Sequence, residues 1–305
     1  MVKLKQKIKK TRLNVDIPSA ITEFKAIMKE FRLKRDIYKI LFRGKGLEFE
    51  KFRDFTPDDD ASDIDWKTSA RSPKLLVKQY KEERDLKIFF LIDVGNNMVF
   101  GSKNRLKCEF VTELTSAFAK LIMESNDRVG LFLFSDEIKH FIPPKSGERH
   151  FQFMVDLLTR PETYGGITNI DHALDYAMRY LDKSINSVIL VSDFLNISRN
   201  TKKKIEILTH QFETIAIRVR DPLDLTLPIV EGEITLENPR SCEQVVINPK
   251  VARAQYEKYA REQAEIVENI LKKSEADFLD LITGRSFAVS LATFLKERIE
   301  KRNKK

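Results

Sequence analysis

The chain has 305 residues, of which 42% are hydrophobic and 33% charged, a composition typical of a globular protein with a substantial core. Its two cysteines, Cys108 and Cys242, are too few for a disulfide framework or a cysteine-based zinc cluster. No apolar run approaches the roughly 20 residues that span a bilayer, and the basic N-terminus lacks the apolar stretch of a secretory signal. We therefore expect a cytoplasmic protein without a transmembrane segment.

The net charge of +8 lies at the two ends of the chain. Residues 1–12 carry +6 and the last ten residues carry +4, so the remaining body carries −2. A domain that binds duplex DNA needs a basic surface on the fold itself, because it contacts several phosphates. The charge pattern therefore favours solvated basic tails, and nucleic-acid binding is not predicted.

The N-terminal part of the chain divides into two pieces. Apolar residues at helical spacing predict a helix after the basic tail: Ile21, Phe24, Met28 and Phe31. A polar, acid-rich segment follows from Gly44 to Tyr80 and contains Trp66, the only tryptophan of the chain. We assign residues 1–40 to the basic tail and helix, residues 41–86 to a polar arm, and residues 87–303 to the main domain.

The main domain alternates strands with helices. Apolar runs predict strands at 88–92, 129–134, 188–191, 214–219 and 277–282. Amphipathic stripes predict helices at 106–121, 151–158, 170–181, 251–273 and 287–295, with another helix between the strands at 188–191 and 214–219. Proline, glycine and short alternating pieces predict an inserted loop or hairpin at 221–249. This order predicts an α/β fold, a doubly wound and mainly parallel sheet with helices on both faces.

Oxygen-bearing side chains follow the strands of this predicted sheet. Asp93 and Asn97 come after the first strand, Asp193 comes after the strand at 188–191, and Thr168 opens a helix. In an open α/β sheet, ligands bind beyond the carboxyl ends of the strands, so we expect these residues to converge at one edge. Carboxylate, amide and hydroxyl oxygens suit Mg²⁺.

This arrangement resembles the metal-ion-dependent adhesion site of von Willebrand factor A domains. That site has an Asp-x-Ser-x-Ser loop, a threonine from a second loop and an aspartate after a later strand. Here Gly95 and Asn97 occupy the two serine positions, so one direct oxygen ligand is lost. Two interpretations follow. Asp93, Asn97, Thr168 and Asp193 form a weak Mg²⁺ site, or the two aspartates bond loop amides and helix N-termini without an ion.

Three blocks resemble the signature of the domain of unknown function 58 family: Gly44–Phe49, Arg53–Asp60 and Ile64–Arg71. The resemblance implies a non-enzymatic adaptor of the A type. It also implies a MoxR-type AAA+ ATPase as partner, alongside other protein clients, in protein assembly, remodelling or stress response.

The predicted partner surface is the edge that contains Asp93. The residues that flank the predicted metal ligands are its candidate contacts: Gly95, Asn96 and Asn169.

The alternative is a metal-dependent phosphatase or nuclease that uses Asp93 and Asp193, or the acidic loop Asp58–Asp65. The sequence offers no G-x-x-x-x-G-K-[ST] phosphate loop and no G-x-S-x-G elbow, and its four histidines lack metal-ligand spacing. We interpret the acidic loop as an ion-paired turn, packed on the main domain through Trp66. The carboxylates have no accompanying base or nucleophile, so we predict that the protein is not an enzyme.

Overall fold

The computed structural model of the chain describes residues 12–31, 48–56, 64–81, 86–103, 105–195, 197–237 and 243–303. The N-terminal part contains two helices, α1 (Ile17–Glu30) and α2 (Trp66–Ser69), and two strands, β1 (Glu48–Asp54) and β2 (Leu76–Lys81). β1 and β2 pair in an antiparallel ribbon that is separate from the main sheet.

The central sheet contains six strands: β3 (Lys87–Asp93), β4 (Arg128–Phe134), β5 (Ile138–Lys145), β6 (Ser187–Ser192), β7 (Glu213–Arg220) and β10 (Asp277–Ile282). Their order across the sheet is β10-β7-β6-β3-β4-β5. Neighbouring strands run parallel except for the edge strand β5, which is antiparallel to β4. The sheet is buried on both faces, which explains why its inner strands read as continuous apolar runs.

Helices cover both faces of the sheet: α3 (Lys107–Met123), α4 (Glu148–Thr159), α5 (Ile170–Tyr180), α6 (Arg199–Gln211), α7 (Pro249–Lys273) and α8 (Phe287–Asn303). Successive side chains of a strand point to opposite faces. Accordingly, Phe90 of β3 packs with residues of α1, α3, α4 and α8, whereas Leu91 packs with residues of α5, α6 and α7. The predicted fold class, a doubly wound and mainly parallel α/β sheet with helices on both faces, is confirmed. Among the described residues, no helix combines the length and apolarity needed to cross a bilayer.

The N-terminal helix α1 is part of the main core. Phe24 is fully buried, with its ring centroid 6.1 Å from that of Phe118 on α3 and 6.3 Å from that of Phe287 on α8. Just before the helix, the backbone N–H of Asn14 donates to Glu109 Oε1 at 2.9 Å. Aromatic packing and a buried carboxylate therefore fix the start of the described chain onto α3.

The polar arm does not pack through its tryptophan, so that prediction is wrong. Trp66 is the first residue of the four-residue helix α2, and 65% of its surface is exposed. The preceding residue, Asp65, caps this helix by accepting a hydrogen bond from the Thr68 N–H at 2.9 Å. This is the turn-and-cap role that the acidic loop was predicted to play. The other aspartates of that loop lie in residues 57–63, outside the described residues.

The predicted insertion contains a hairpin formed by β8 (Ile234–Glu237) and β9 (Gln244–Ile247). Its register brings four aliphatic residues to one face: Ile234, Leu236, Val245 and Ile247. Each of them is half-buried or exposed. The hairpin therefore contributes little to the core.

Candidate interaction edge at the carboxyl ends of the strands

The candidate site lies where the winding of the sheet reverses. From β3 the chain passes to β4 and β5 on one side of the sheet, and then to β6, β7 and β10 on the other side. The crevice outside the carboxyl ends of the strands at such a switch point is the usual ligand position in open α/β sheets. Asp93 ends β3 and Ser192 ends β6, so both lie at this point.

Asp93 is fully buried and accepts four hydrogen bonds. Its Oδ1 accepts from the Gly95 N–H at 2.9 Å and from Thr168 Oγ1 at 2.7 Å. Its Oδ2 accepts from Asn97 Nδ2 at 3.0 Å and from Ser192 Oγ at 2.7 Å. A carboxylate offers about four lone-pair positions, so donors from two loops and from the end of β6 satisfy this one.

Backbone hydrogen bonds join two of these loops. The Gly165 N–H donates to the Val94 carbonyl at 2.8 Å, and the Asn96 N–H donates to the Gly166 carbonyl at 2.9 Å. Gly166 has a φ of +87°, and a Cβ there would collide with the side chain of Asp136. Only glycine fits this position without strain. The second loop therefore keeps Thr168 in a fixed place beside β3.

Thr168 and Asn97 also contact each other, since the Thr168 hydroxyl lies against Asn97 Oδ1. The carboxylate of Asp93 only accepts hydrogen bonds, so the amide of Asn97 must turn its NH₂ group toward Asp93 and its oxygen toward Thr168. A Cβ on Gly95 would overlap both Thr168 Oγ1 and Asn97 Oδ1. Gly95, which stands in place of a serine of the predicted metal motif, therefore leaves the space in which Thr168 and Asn97 come together.

Asp193 has a different partner. Its Oδ2 lies 2.8 Å from Nζ of Lys107, and both side chains are at most 2% exposed. The same ammonium lies 3.2 Å from Oδ2 of Asp224. The other oxygen of Asp193 accepts from the Leu195 N–H at 3.2 Å. Lys107 is the first residue of α3, and the sequence analysis did not identify it.

Burial and neighbouring charges shift the pKa values of the ionisable side chains at this site. Burial, and secondarily the charge of Asp193, raises the pKa of Asp93 to about 6. Burial alone would lower the pKa of Lys107, but the carboxylates of Asp193 and Asp224 outweigh it and raise this pKa. Burial likewise raises the pKa of Asp224. The ammonium therefore stays charged, while Asp93 is held nearer to neutrality than an ordinary carboxyl group.

These residues do not fit a divalent cation. Asp93 is surrounded by hydrogen-bond donors, Asn97 turns a nitrogen toward it, and Gly95 has no side chain. An ammonium group already occupies the inner side of Asp193. No group of three histidine, cysteine, aspartate or glutamate residues that could hold a metal occurs in the described part of the chain. The arrangement favours the second of the two interpretations drawn from the sequence, in which Asp93 and Asp193 bond to groups of the protein itself without an ion.

The outer surface of the edge carries apolar and amide side chains. Asn96 and Asn169 are exposed, whereas Gly95 is buried. Asn169 also caps α5 by accepting from the His172 N–H at 3.1 Å. Beside the buried polar groups, Ile167 is 43% exposed and Leu195 is 52% exposed. Sequence reasoning missed these two residues, although an aliphatic residue in a polar loop next to a predicted ligand was a usable signal.

The chain is similar in sequence to uncharacterised bacterial proteins and in structure to several solved α/β proteins. It is 25% identical over 262 residues to Rv1480 of Mycobacterium tuberculosis, an uncharacterised protein, and the alignment covers 85% of this chain and 81% of that protein. Among solved structures it is similar to BatB from Bacteroides thetaiotaomicron, a conserved hypothetical protein (14% identity, TM-score 0.48, 70% of this chain and 99% of that chain). It is also similar to the SpRpn10 VWA domain (11% identity, TM-score 0.34, 45% and 76%). Likenesses of this size carry no conclusion about function.

A family model identifies the chain more directly. The model described as a protein of unknown function, DUF58, matches residues 51–266, which is well over half of the chain. The match includes β3, the loops around Asp93 and Thr168, and the Asp193 turn. The chain therefore belongs to the DUF58 family.

Proposed function

We propose that the protein is a non-enzymatic protein-interaction module, and that residues 94–97, 165–169 and 193–195 form its partner surface, here named the interaction edge. The observation that carries the proposal is the position of Ile167 and Leu195. Each exposed aliphatic side chain stands within two residues of a hydrogen-bonded anchor, the half-buried Thr168 or the buried Asp193. Exposed apolar side chains on a rigid support favour binding, because they bury apolar surface and lose little conformational freedom on association.

The chemistry of the carboxylates supports binding over catalysis. A general base or nucleophile needs an accessible oxygen within reach of a substrate. The oxygens of Asp93 accept four internal hydrogen bonds, and Asp193 is paired with Lys107 beneath the surface. The hydrolase alternative would require both groups to leave these partners.

We further propose that the partner is a MoxR-type AAA+ ATPase, and that the pair acts in protein assembly, remodelling or stress response. This part of the proposal rests on the DUF58 family and its association with such ATPases. A fold without a usable metal site would bind its partner through shape, apolar contact and hydrogen bonds.

The test is a measurement of binding between the purified chain and a purified MoxR-type ATPase from the same organism. We expect Ile167→Asp and Leu195→Asp each to weaken binding about 10-fold or more, because a charge would be buried at the contact. Ile207→Asp is the matched control, since Ile207 is 47% exposed on α6, outside the interaction edge. Circular dichroism and melting temperature should match among all four proteins.

Two outcomes would oppose the proposal. Equal binding by all variants would place the interface elsewhere on the chain. Absence of binding by the wild-type protein, with and without nucleotide on the ATPase, would reject the ATPase as partner.

A further inference from the structure

Lys107 is a charged group that the fold buries almost completely. Only 1% of its side chain is exposed, and its ammonium lies between Asp193, which follows β6, and Asp224, which belongs to the short 3-10 turn Pro222–Asp224 after β7. Burying an ammonium is expensive unless it is paired and hydrogen-bonded. Lys107 also starts a helix, where the positive end of the helix dipole disfavours a cation. Two carboxylates compensate for both effects.

The surroundings of Lys107 Nζ complete its bonding. An ammonium has three N–H donors. Two of these N–H groups donate to carboxylate oxygens, one to Asp193 at 2.8 Å and one to Asp224 at 3.2 Å. The ring of Phe100 lies on a further side of the ammonium, with its centroid 5.7 Å from Nζ. The aromatic face attracts the positive charge. Asp224 Oδ2 is fixed in turn by the Asp221 N–H at 2.8 Å.

We propose that the ammonium of Lys107 is a built-in cation that takes the place of a divalent metal ion at this edge of the sheet. It supplies the positive charge against Asp193 that an external ion would supply, so the site is complete without metal. A divalent ion approaching Asp193 would meet this fixed positive charge at close range, and the repulsion would oppose its binding. This inference does not depend on the partner, because it concerns the free chain.

The first test uses the wild-type protein. We expect the melting temperature to change by less than about 1 °C between millimolar Mg²⁺ and a chelator, because a ligand that does not bind the native state does not stabilise it. Titration calorimetry with Mg²⁺ should show no binding heat beyond dilution. A stabilisation by Mg²⁺ that disappears in Asp93→Asn would overturn the proposal, and this arm needs no folded variant at position 107.

The second test removes the ammonium and returns it from solution. Lys107→Ala leaves the buried carboxylate of Asp193 and the half-buried carboxylate of Asp224 facing an empty space of about the size of the lost group. We expect its melting temperature to fall by about 10 °C, since removing one partner of a buried ion pair is strongly destabilising. Methylammonium chloride should restore part of the loss, whereas tetramethylammonium chloride at equal ionic strength should not, because it is too large and donates no hydrogen bond.

Lys120→Ala is the matched control. Lys120 lies on the same helix, with its Nζ 2.6 Å from Glu148 Oε2 and 4.9 Å from the centroid of the Phe151 ring, but its side chain is 24% exposed and that of Glu148 is 58% exposed. We expect a small loss of stability there and no rescue by methylammonium.

Each remaining outcome bears on the proposal. If Lys107→Ala is as stable as the wild type, or if both ammonium salts act alike, Lys107 is not the cation of the site. If Lys107→Ala does not fold, Lys107→Arg replaces it, since a guanidinium keeps the charge. That variant should fold and remain insensitive to Mg²⁺, and Mg²⁺-dependent folding would contradict the proposal.

Discussion

Asp93 shows how burial makes a single carboxyl group sensitive to pH. Its pKa in the folded chain is raised to about 6, above the ordinary value of 3.8, by burial first and by the charge of Asp193 second. Because the folded pKa is the higher one, the stabilising contribution of protonated Asp93 is complete below about pH 4 and is lost as the pH rises through about 6. Between these values, we expect the wild-type free energy of unfolding to fall by on the order of 2 kcal/mol relative to Asp93→Asn.

Urea unfolding of both proteins at a series of pH values measures this difference directly. Comparison with Asp93→Asn cancels the titration of carboxyl groups elsewhere in the chain. Two curves that stay parallel from pH 4 to pH 6 would show that Asp93 keeps an ordinary pKa.

Gly95 is tightly enclosed by its neighbours, which leave no room for a side chain. Its φ of −66° suits any amino acid, so the obstacle to a side chain is the contact with Thr168 and Asn97. We expect Gly95→Ser, which restores a serine of the adhesion-site motif, to lower the free energy of unfolding by about 1–3 kcal/mol through overpacking. It should not create affinity for Mg²⁺, because Lys107 remains in place.

Thermal unfolding and calorimetric titration with Mg²⁺ measure these two effects. Asn96→Ser, at the exposed neighbouring position, is the control and should be nearly neutral. Tight Mg²⁺ binding by Gly95→Ser would show that the cluster rearranges freely around a metal.

The convergence of Asp93, Asn97 and Thr168 could be predicted from the sequence, because carboxyl ends of parallel strands meet at one edge of a sheet. The position of Lys107 could not. A lysine in the first turn of an amphipathic helix is normally solvated, and its two partners lie 86 and 117 residues further along the chain. The prediction that Trp66 packs on the main domain was wrong, because it followed the general tendency of tryptophan to be buried.

Among the elements, α1 makes the clearest contribution to stability. Phe24 is fully buried between the rings of Phe118 and Phe287. We expect Phe24→Ala to lower the free energy of unfolding by about 3–5 kcal/mol, the usual effect of removing a buried aromatic ring. Lys29→Ala, at an exposed position of the same helix, should change it by less than about 0.5 kcal/mol.

Chemical denaturation with fluorescence or circular dichroism measures both variants. A loss below about 1 kcal/mol for Phe24→Ala would mean that α1 is only loosely attached to the core.

Strong periodicity made most elements predictable, and its absence explains those that were missed. The predicted strand at 277–282 has the observed bounds, and β3, β4, β6 and β7 extend at most one residue beyond their predictions on either side. β5 contains Pro143 and Pro144 and is largely exposed, so it shows no apolar run; prolines are tolerated because the strand lies at the edge of the sheet. The β1–β2 ribbon lies in the polar arm, where short mixed segments resemble loops.

At the scale of the whole molecule, the alternation of buried strands and amphipathic helices was enough to predict a doubly wound sheet. The order of its strands was not predictable from local patterns, because it depends on which strands pair over long distances. That order matters here: with β3 between β4 and β6, the loops that hold Asp93, Thr168 and Asp193 meet at one switch point.

The packing of α1 against α8 has a consequence for how the chain is made. Ser286 Oγ donates to Glu23 Oε1 at 2.6 Å across 263 residues of sequence, and the ring of Phe287 closes the pocket of Phe24. During synthesis, α1 emerges from the ribosome long before α8 exists, so its apolar side has an incomplete pocket until the last helix is translated. Contacts of such long sequence separation form slowly. We therefore expect the apolar side of α1 to be only partly covered, by Phe118 and its neighbours on α3, until α8 has been made.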